Sequence, residues 1–332
     1  MPSFMGILAL SPNQTAPVNG VSPAIQVHQE LPSAIASHVP AGWLPSNLAP
    51  SSLPTPISSK RTSWKPSGGK KLDTPTAIVL ENVAAGFSHP NILDVKLGSR
   101  LWADDAPEAK RRKLDDVAKQ TTSASLGFRI AGMKRWIGQV SNGSSLDNKE
   151  KGIEYKDEYL CYNKAYGRSF AAHDVKDGLI EYFGGQIDPH NSLSNLKRYK
   201  IDKVIGLILR ELESIRFTLR EEESRMYSAS ILMIFEGDEL AMDAAIQGEK
   251  EKSERADIIS RLDEGTVTDE EIERLPDTDD EEEELPKLYD IRLIDFAHAQ
   301  FTPGQGPDNN VLHGVNSLIR IFKELAELAA TN

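Results

Sequence analysis

Nine residues, Pro90-Asn91-Ile92-Leu93-Asp94-Val95-Lys96-Leu97-Gly98, constrain the fold of this chain more than any other stretch. In an extended backbone, side chains two apart point the same way. Leu93, Val95 and Leu97 therefore fill one face of a predicted strand, while Asp94 and Lys96 share the other. A carboxylate and an ammonium placed like this form either an active-site pair or a surface salt bridge. On the D-x-K spacing alone, the salt bridge is the commoner outcome.

The remaining patterning predicts an α+β protein. A strand-like run spans Phe4 to Leu10. Residues 13–75 are rich in Pro, Ser, Ala and Gly without a sustained period, and read as a disordered insertion. Thr76 to Val83 reads as a buried strand ending in a polar turn. Asp105 and Pro107 begin a helix that runs to about Gln120. Ser125 to Lys134 reads as a strand with glycine interruptions, 141–152 as a polar loop, and Tyr159 to Tyr166 as another strand. Helices are predicted over Val175 to Phe183, Leu196 to about Glu223, and Val311 to Leu328. Ser230 to Glu236 and Leu288 to Phe296 form the two arms of a hairpin.

Between those arms the charge is concentrated. The net charge of -12 hides a segment, 236–286, with 21 acidic against 5 basic residues, which leaves 29 and 33 for the rest. A mildly basic body suggests an anionic ligand. The run Asp279 to Glu284 repels itself, so 236–286 is expected to be a disordered acidic insertion, either solvated or facing basic protein partners. The single cysteine, Cys161, excludes a disulfide framework and a four-cysteine zinc site. No apolar run approaches the roughly 20 residues of a membrane span, and no signal-peptide pattern opens the chain. An intracellular protein is expected.

Asp94 and Asp295, each near a basic residue (Lys96 and His298), are expected at strand ends. Phosphoryl transfer needs such a set: an acid for the metal, another for the nucleotide or attacking hydroxyl, and cations for phosphates. G-x-S-x-G, H-E-x-x-H and Walker A patterns are absent, which argues against those hydrolase and P-loop classes. The Lys110-Arg111-Arg112-Lys113 cluster is open to three readings: a polyphosphate-binding face, a solvated helix surface, or a nuclear import signal.

Pro90-x-x-x-Asp94-x-Lys96-x-Gly98 resembles the signature of the inositol polyphosphate kinase family. Further blocks resemble that family in the same order. They are Val79-Leu80-Glu81-Asn82, Gln120-Thr121-Thr122 with Ser125-Leu126-Gly127-Phe128-Arg129-Ile130, Ile294-Asp295-Phe296-Ala297-His298, and Gly314-Val315-Asn316-Ser317-Leu318-Ile319. The resemblance implies a two-lobed fold like that of protein kinases. Residues 1–12 would be a remnant strand of the small lobe, 76–84 a strand and hinge, and 85–235 with 287–332 the large lobe. ATP and Mg2+ would be the cofactors and an inositol polyphosphate the substrate. Asp94, Lys96 and Asp295 would be catalytic; Asp94 would engage either the ATP ribose or the reacting hydroxyl, and Asp94 and Asp295 would also bind the cofactor, with Asp295 holding the metal. Glu81 and Val83 would offer backbone groups to adenine. Lys96, Lys110, Arg111, Lys113, Lys119, Gln120, Lys134 and His298 would meet the substrate.

The resemblance lacks a beginning. Met1-Pro2-Ser3-Phe4-Met5-Gly6 resembles the strand that follows the family's glycine-bearing hairpin, nucleotide lysine and acidic helix. An incomplete small lobe with weak ATP affinity is therefore expected of the chain as given. The resemblance leaves two alternatives beside a kinase of inositol tris- and tetrakisphosphates. One is a scaffold with impaired catalysis in transcriptional regulation; the other is a kinase specific for the trisphosphate or hexakisphosphate. A monomer in nucleus and cytoplasm, without direct nucleic-acid binding, is expected.

Overall fold

The computed structural model describes residues 1–9, 27–28, 76–140, 148, 151–184, 195–263 and 286–330. They fall into two compact units, Pro2–Glu81, and Asn82–Asn332 together with Met1.

The first unit is a small antiparallel sheet of β1 (Phe4–Ala9), β2 (Val27–His28) and β3 (Thr76–Leu80) in the order β2-β1-β3. Its end is tied by Glu81, whose N–H donates to the Ser3 carbonyl at 2.9 Å and whose carboxylate accepts from the Ser3 N–H at 3.0 Å. Val27 and His28 lie inside the stretch expected to be disordered, yet they pair with Leu8 and Ile7. The rest of 10–75 lies outside the described residues.

The second unit begins with β4 (Pro90–Leu97), whose inner positions Leu93, Val95 and Leu97 are fully buried, as the alternation requires. Helix α1 (Glu108–Lys119) follows, then a short α2 (Thr122–Leu126). The Thr121 hydroxyl accepts from the Ser123 N–H at the start of α2, and Gly127 ends it at φ +68, the left-handed region that favours glycine. The expected strand from Ser125 therefore starts later, as β5 (Phe128–Trp136). After β6 (Ile153–Lys156) and β7 (Tyr159–Tyr162), the expected strand to Tyr166 gives way to α3 (Lys164–Arg168), which Asn163 caps. Then come α4 (Val175–Tyr182), α5 (Asn195–Glu221), β8 (Ser224–Met226) and β9 (Ser230–Glu236).

The first part of the acidic segment departs from expectation: residues Glu239–Asp263 form a helix, α6. Met242, Ala245 and Ile246 sit three and four apart, so one stripe docks, with Met242 and Ala245 buried. The Lys200 ammonium, 5% exposed, holds Asp243 at 2.6 Å. High charge conceals this stripe, and residues 264–285 lie outside the described residues. β10 (Tyr289–Ile294) returns antiparallel to β9, followed by a 3-10 turn Phe296–His298, β11 (Ala299–Phe301) and α7 (Asn309–Ala330).

The main sheet is antiparallel throughout, in the order β10-β9-β4-β5-β7-β6, and β8 pairs separately with β11. Leu93, Val95, Phe128, Ile130, Ile231 and Met233 present one face to α4, α5 and α7, where Leu179, Tyr182, Ile208, Leu212, Leu318 and Phe322 complete the core. Each large side chain buried here contributes about 1.5–3 kcal/mol. With one face sealed by helices, the polar side chains of β4 and β5 must lie on the other. Among the described residues no helix is long and apolar enough to cross a membrane.

Candidate active site

The open face of the main sheet is built around β4. Register pairs Lys96 with Ser230 of β9 on one side and with Arg129 of β5 on the other. Directly paired residues share a face, so Ser230, Lys96 and Arg129 form a row across three strands. Next along, Asp94 lies opposite Gly132 while Val95 lies opposite Ile130, so Ala131 is an extra residue. This bulge brings Lys134, paired with Ile92, onto the face that carries Asp94 and Arg129.

Lys96 joins the cluster. Its Nζ donates to Asp295 Oδ2 at 2.6 Å and to the Ser228 carbonyl at 2.9 Å. Asp295 follows directly on β10 in a left-handed conformation, φ 68 and ψ 54, which aspartate tolerates better than most residues. The Ser230 hydroxyl donates to the same Asp295 oxygen at 3.3 Å. The Asp295 side chain is 51% exposed, against 17% for Lys96. Asp94 is deeper, and its Oδ1 is buried without a hydrogen-bond partner. Burial pushes the Asp94 carboxyl above its ordinary value. The nearby Ser230 hydroxyl and the charges of Lys96 and Arg129 oppose that shift, while Asp295 adds to it.

Two placements differ from the sequence reading. Asp94 stands within β4 rather than at its end, because the strand continues to Leu97. The cation that neutralises Asp295 is Lys96 rather than His298, which is exposed in the 3-10 turn and accepts a backbone hydrogen bond from Tyr227. Lys134 lies on the open face with its ammonium 3.7 Å from the centroid of the Tyr159 ring. Glu81 and Val83 belong to different units. The Glu81 carboxylate is engaged with Ser3, and Val83 is buried.

Helix α1 is divided by its own geometry. Arg111 donates to the Ala106 and Asp104 carbonyls and lies over the Trp102 ring, so it closes the preceding loop. Arg112 pairs with Glu108. Lys110 and Lys113 are exposed and make no ion pair among the described residues. Lys119 and Gln120, at the end of the helix, line a cleft of about 340 Å³ with Thr122, Ser125, Arg168 and Ser169.

Sequence reasoning missed Arg129, Ser230 and Arg168. Arg129 sits in a block that carried the resemblance, but strict alternation puts residues 129 and 134 on opposite faces, and nothing in the sequence shows the bulge. Ser230 is legible only through its register with Lys96.

Asp94 and Asp295 fit a small divalent cation, which takes one or two carboxylates and completes its shell with water and phosphate oxygens. The orphaned Asp94 oxygen is a donor of the right kind. Among the described residues no group of three or more potential protein ligands is gathered, so an all-protein cage is not what this site offers.

A pair of carboxylates, one of them bonded to a lysine, on a sheet face that gathers further cations, defines a protein that handles phosphorylated ligands. Residues 77–323 match the inositol polyphosphate kinase family, and this chain belongs to it. It is 40% identical over 253 residues to the inositol polyphosphate multikinase of Saccharomyces cerevisiae, which covers 74% of this chain and 67% of that protein. Identity to the human inositol hexakisphosphate kinase 3 is 30% over 258 residues, 75% of this chain and 51% of that protein. The rat inositol hexakisphosphate kinase 1 is 28% identical over 336 residues, 92% of this chain and 65% of that protein. The chain thus spans between half and two thirds of the length of these relatives. The crystal structure of the S. cerevisiae inositol phosphate multikinase Ipk2 with ADP and Mn2+ superposes with a TM-score of 0.51 at 36% identity, covering 75% of this chain and 83% of that one.

Proposed function

We propose that this protein transfers the terminal phosphoryl group of ATP, with Mg2+, to a free hydroxyl of an inositol tris- or tetrakisphosphate, giving the tetrakis- or pentakisphosphate. The observation that carries the proposal is the row of Ser230, Lys96 and Arg129 beside Asp94, with Asp295 bonded to Lys96, in a member of this family. The relative of known structure holds ADP and Mn2+, which supports a nucleotide and a divalent metal here.

Asp94 receives the attacking hydroxyl and takes its proton as the new P–O bond forms and ADP leaves. A carboxylate whose proton affinity is raised by burial is a better base for this than an exposed one. Lys96 keeps Asp295 in place and offers its ammonium to the oxygens of the group in flight. Asp295 would hold the metal, leaving Asp94 to the hydroxyl; when bound, the metal neutralises phosphate charge and aligns the reacting groups. Lys134, Lys119, Gln120 and His298 hold phosphates of the substrate. Lys110, Arg112 and Lys113, exposed on α1, serve nuclear import, giving a protein of nucleus and cytoplasm. The acidic segment engages basic protein partners, and the kinase acts as a monomer.

The test is transfer of label from radioactive ATP to inositol trisphosphate by the wild-type chain, Asp94→Ala and Asp295→Asn. Substrate-dependent transfer that both substitutions abolish is expected. Absence of transfer by the wild-type chain at saturating ATP and Mg2+ overturns the assignment.

A further inference from the structure

Two arginines of the basic surface, Arg129 and Arg168, have no ligand contact assigned to them above. The Arg129 side chain, half-buried, donates from Nη1 to the Ser123 hydroxyl at 2.9 Å and makes no ion pair among the described residues. Its nearest carboxylate influence is Asp94, which Lys96 already shares. Arg168 is brought beside it by close packing of α3 on β5. A Cβ on Gly167 would lie 1.9 Å from the Ile130 carbonyl oxygen, so the helix rests directly on the strand one residue from Arg129. Arg168 is exposed, makes no ion pair among the described residues, and lines the cleft with Lys119 and Gln120.

Arg168 and Lys119 therefore share one concavity, and Arg129 stands behind its wall, bonded to Ser123 next to the lining residue Thr122, with no ion pair to any of the three among the described residues. Burial, and after it the charge of Arg168, holds the Arg129 guanidinium below its usual value, so this approach of like charges is unfavourable in the free protein. An anion between them removes the repulsion. Guanidinium groups present forked donors matched to phosphate, and two of them define a direction that a single lysine does not.

We propose that Arg129 and Arg168 form a subsite for a phosphate of the substrate remote from the reacting hydroxyl, and that Arg168 sets the preference for substrates carrying that phosphate. The inference rests on the function proposed above. On one side of Arg129 lies Asp94, where the hydroxyl is received; on the other lies Arg168 at the cleft. A ring held at both places presents only hydroxyls at one fixed position to Asp94, so the subsite governs which position reacts as well as how tightly the substrate binds.

Arg168→Gln tests this, because its exposed side chain is dispensable for packing and thermal melting will show an intact fold. Calorimetric titration with inositol trisphosphate and inositol tetrakisphosphate, and steady-state rates with both, are compared with the wild-type chain. Loss of charged hydrogen bonds to phosphate should raise Kd and KM by about ten- to a hundredfold, with a smaller effect on kcat. Arg168→Lys should recover part of the binding through its charge, and the affinity of the Gln variant should fall less steeply with salt. Kd and KM within twofold of wild type, while Asp94→Ala still abolishes transfer, would overturn the subsite and leave the proposed kinase standing. A wild-type chain that binds neither inositol phosphate overturns both.

Discussion

Helix α1 and the open face of β4 and β5 are both rich in cations, and they use them differently. On α1 the run Lys110 to Lys113 turns by about 100° per residue, so its charges radiate. Arg111 is drawn back to close a loop, Arg112 to Glu108, and Lys110 and Lys113 reach water. On the sheet, Lys96 comes from one strand and Arg129 and Lys134 from another more than thirty residues on, yet register and one bulge direct all three to the same side. Density of charge along a chain does not make a site; convergence does.

The largest effect should come from Lys96, where convergence is tightest. Lys96→Met should lower kcat by about a hundred- to a thousandfold, the scale for loss of a donor aimed at developing charge. Stability should respond in the opposite order. Losing Lys96 leaves a carboxylate that is already half in water, whereas Asp295→Ala strands an ammonium that is 17% exposed. Thermal melts should show Asp295→Ala less stable than Lys96→Met by about 1 kcal/mol or more. The reverse order would mean that the pair is held by solvent rather than by the sheet.

Asp94 should show a second, smaller opposition between activity and stability. Its carboxyl is raised by burial, so its contribution to stability is present below the unfolded carboxylate value, near 3.8, and is lost as pH rises through the folded value. Asp94→Asn does not titrate. Relative to the wild-type chain its melting temperature should therefore rise as pH is taken from acid to neutral, while transfer stays abolished at every pH. A melting difference independent of pH would remove the basis for treating Asp94 as the proton acceptor.

Much of this site was legible because its central strand alternates cleanly: the face shared by Asp94 and Lys96 follows from spacing alone, and the helices over 175–183, 196–223 and 311–328 follow from their apolar period. What escaped were relations between segments. The pairing of Lys96 with Asp295, 199 residues away, depends on β9 lying between β4 and β10. Arg129 depends on a bulge set by pairing rather than by residue type. The stripe of Met242, Ala245 and Ile246 that docks α6 is too short to stand out among charges, so the charge pattern there hides a helix. A charged run, by contrast, is conspicuous in sequence whether or not its side chains meet.

The smallest effect should therefore fall on the most conspicuous residues. Lys110 and Lys113 are not among the residues that line the cleft with Lys119 and Arg168. Substituting both by glutamine removes exposed charge that acts on a phosphorylated substrate only through water, within a screening length of about 8 Å at physiological salt. KM for inositol trisphosphate should rise by about twofold at most at that ionic strength, and the residual difference should shrink as salt is raised. Lys119→Gln, at the other end of the same helix, should raise KM about tenfold and retain most of that effect in salt, because the contact proposed for it is direct. If the two variants respond alike, the cations of α1 act as one diffuse field, and the convergence seen on the sheet is not what selects the substrate.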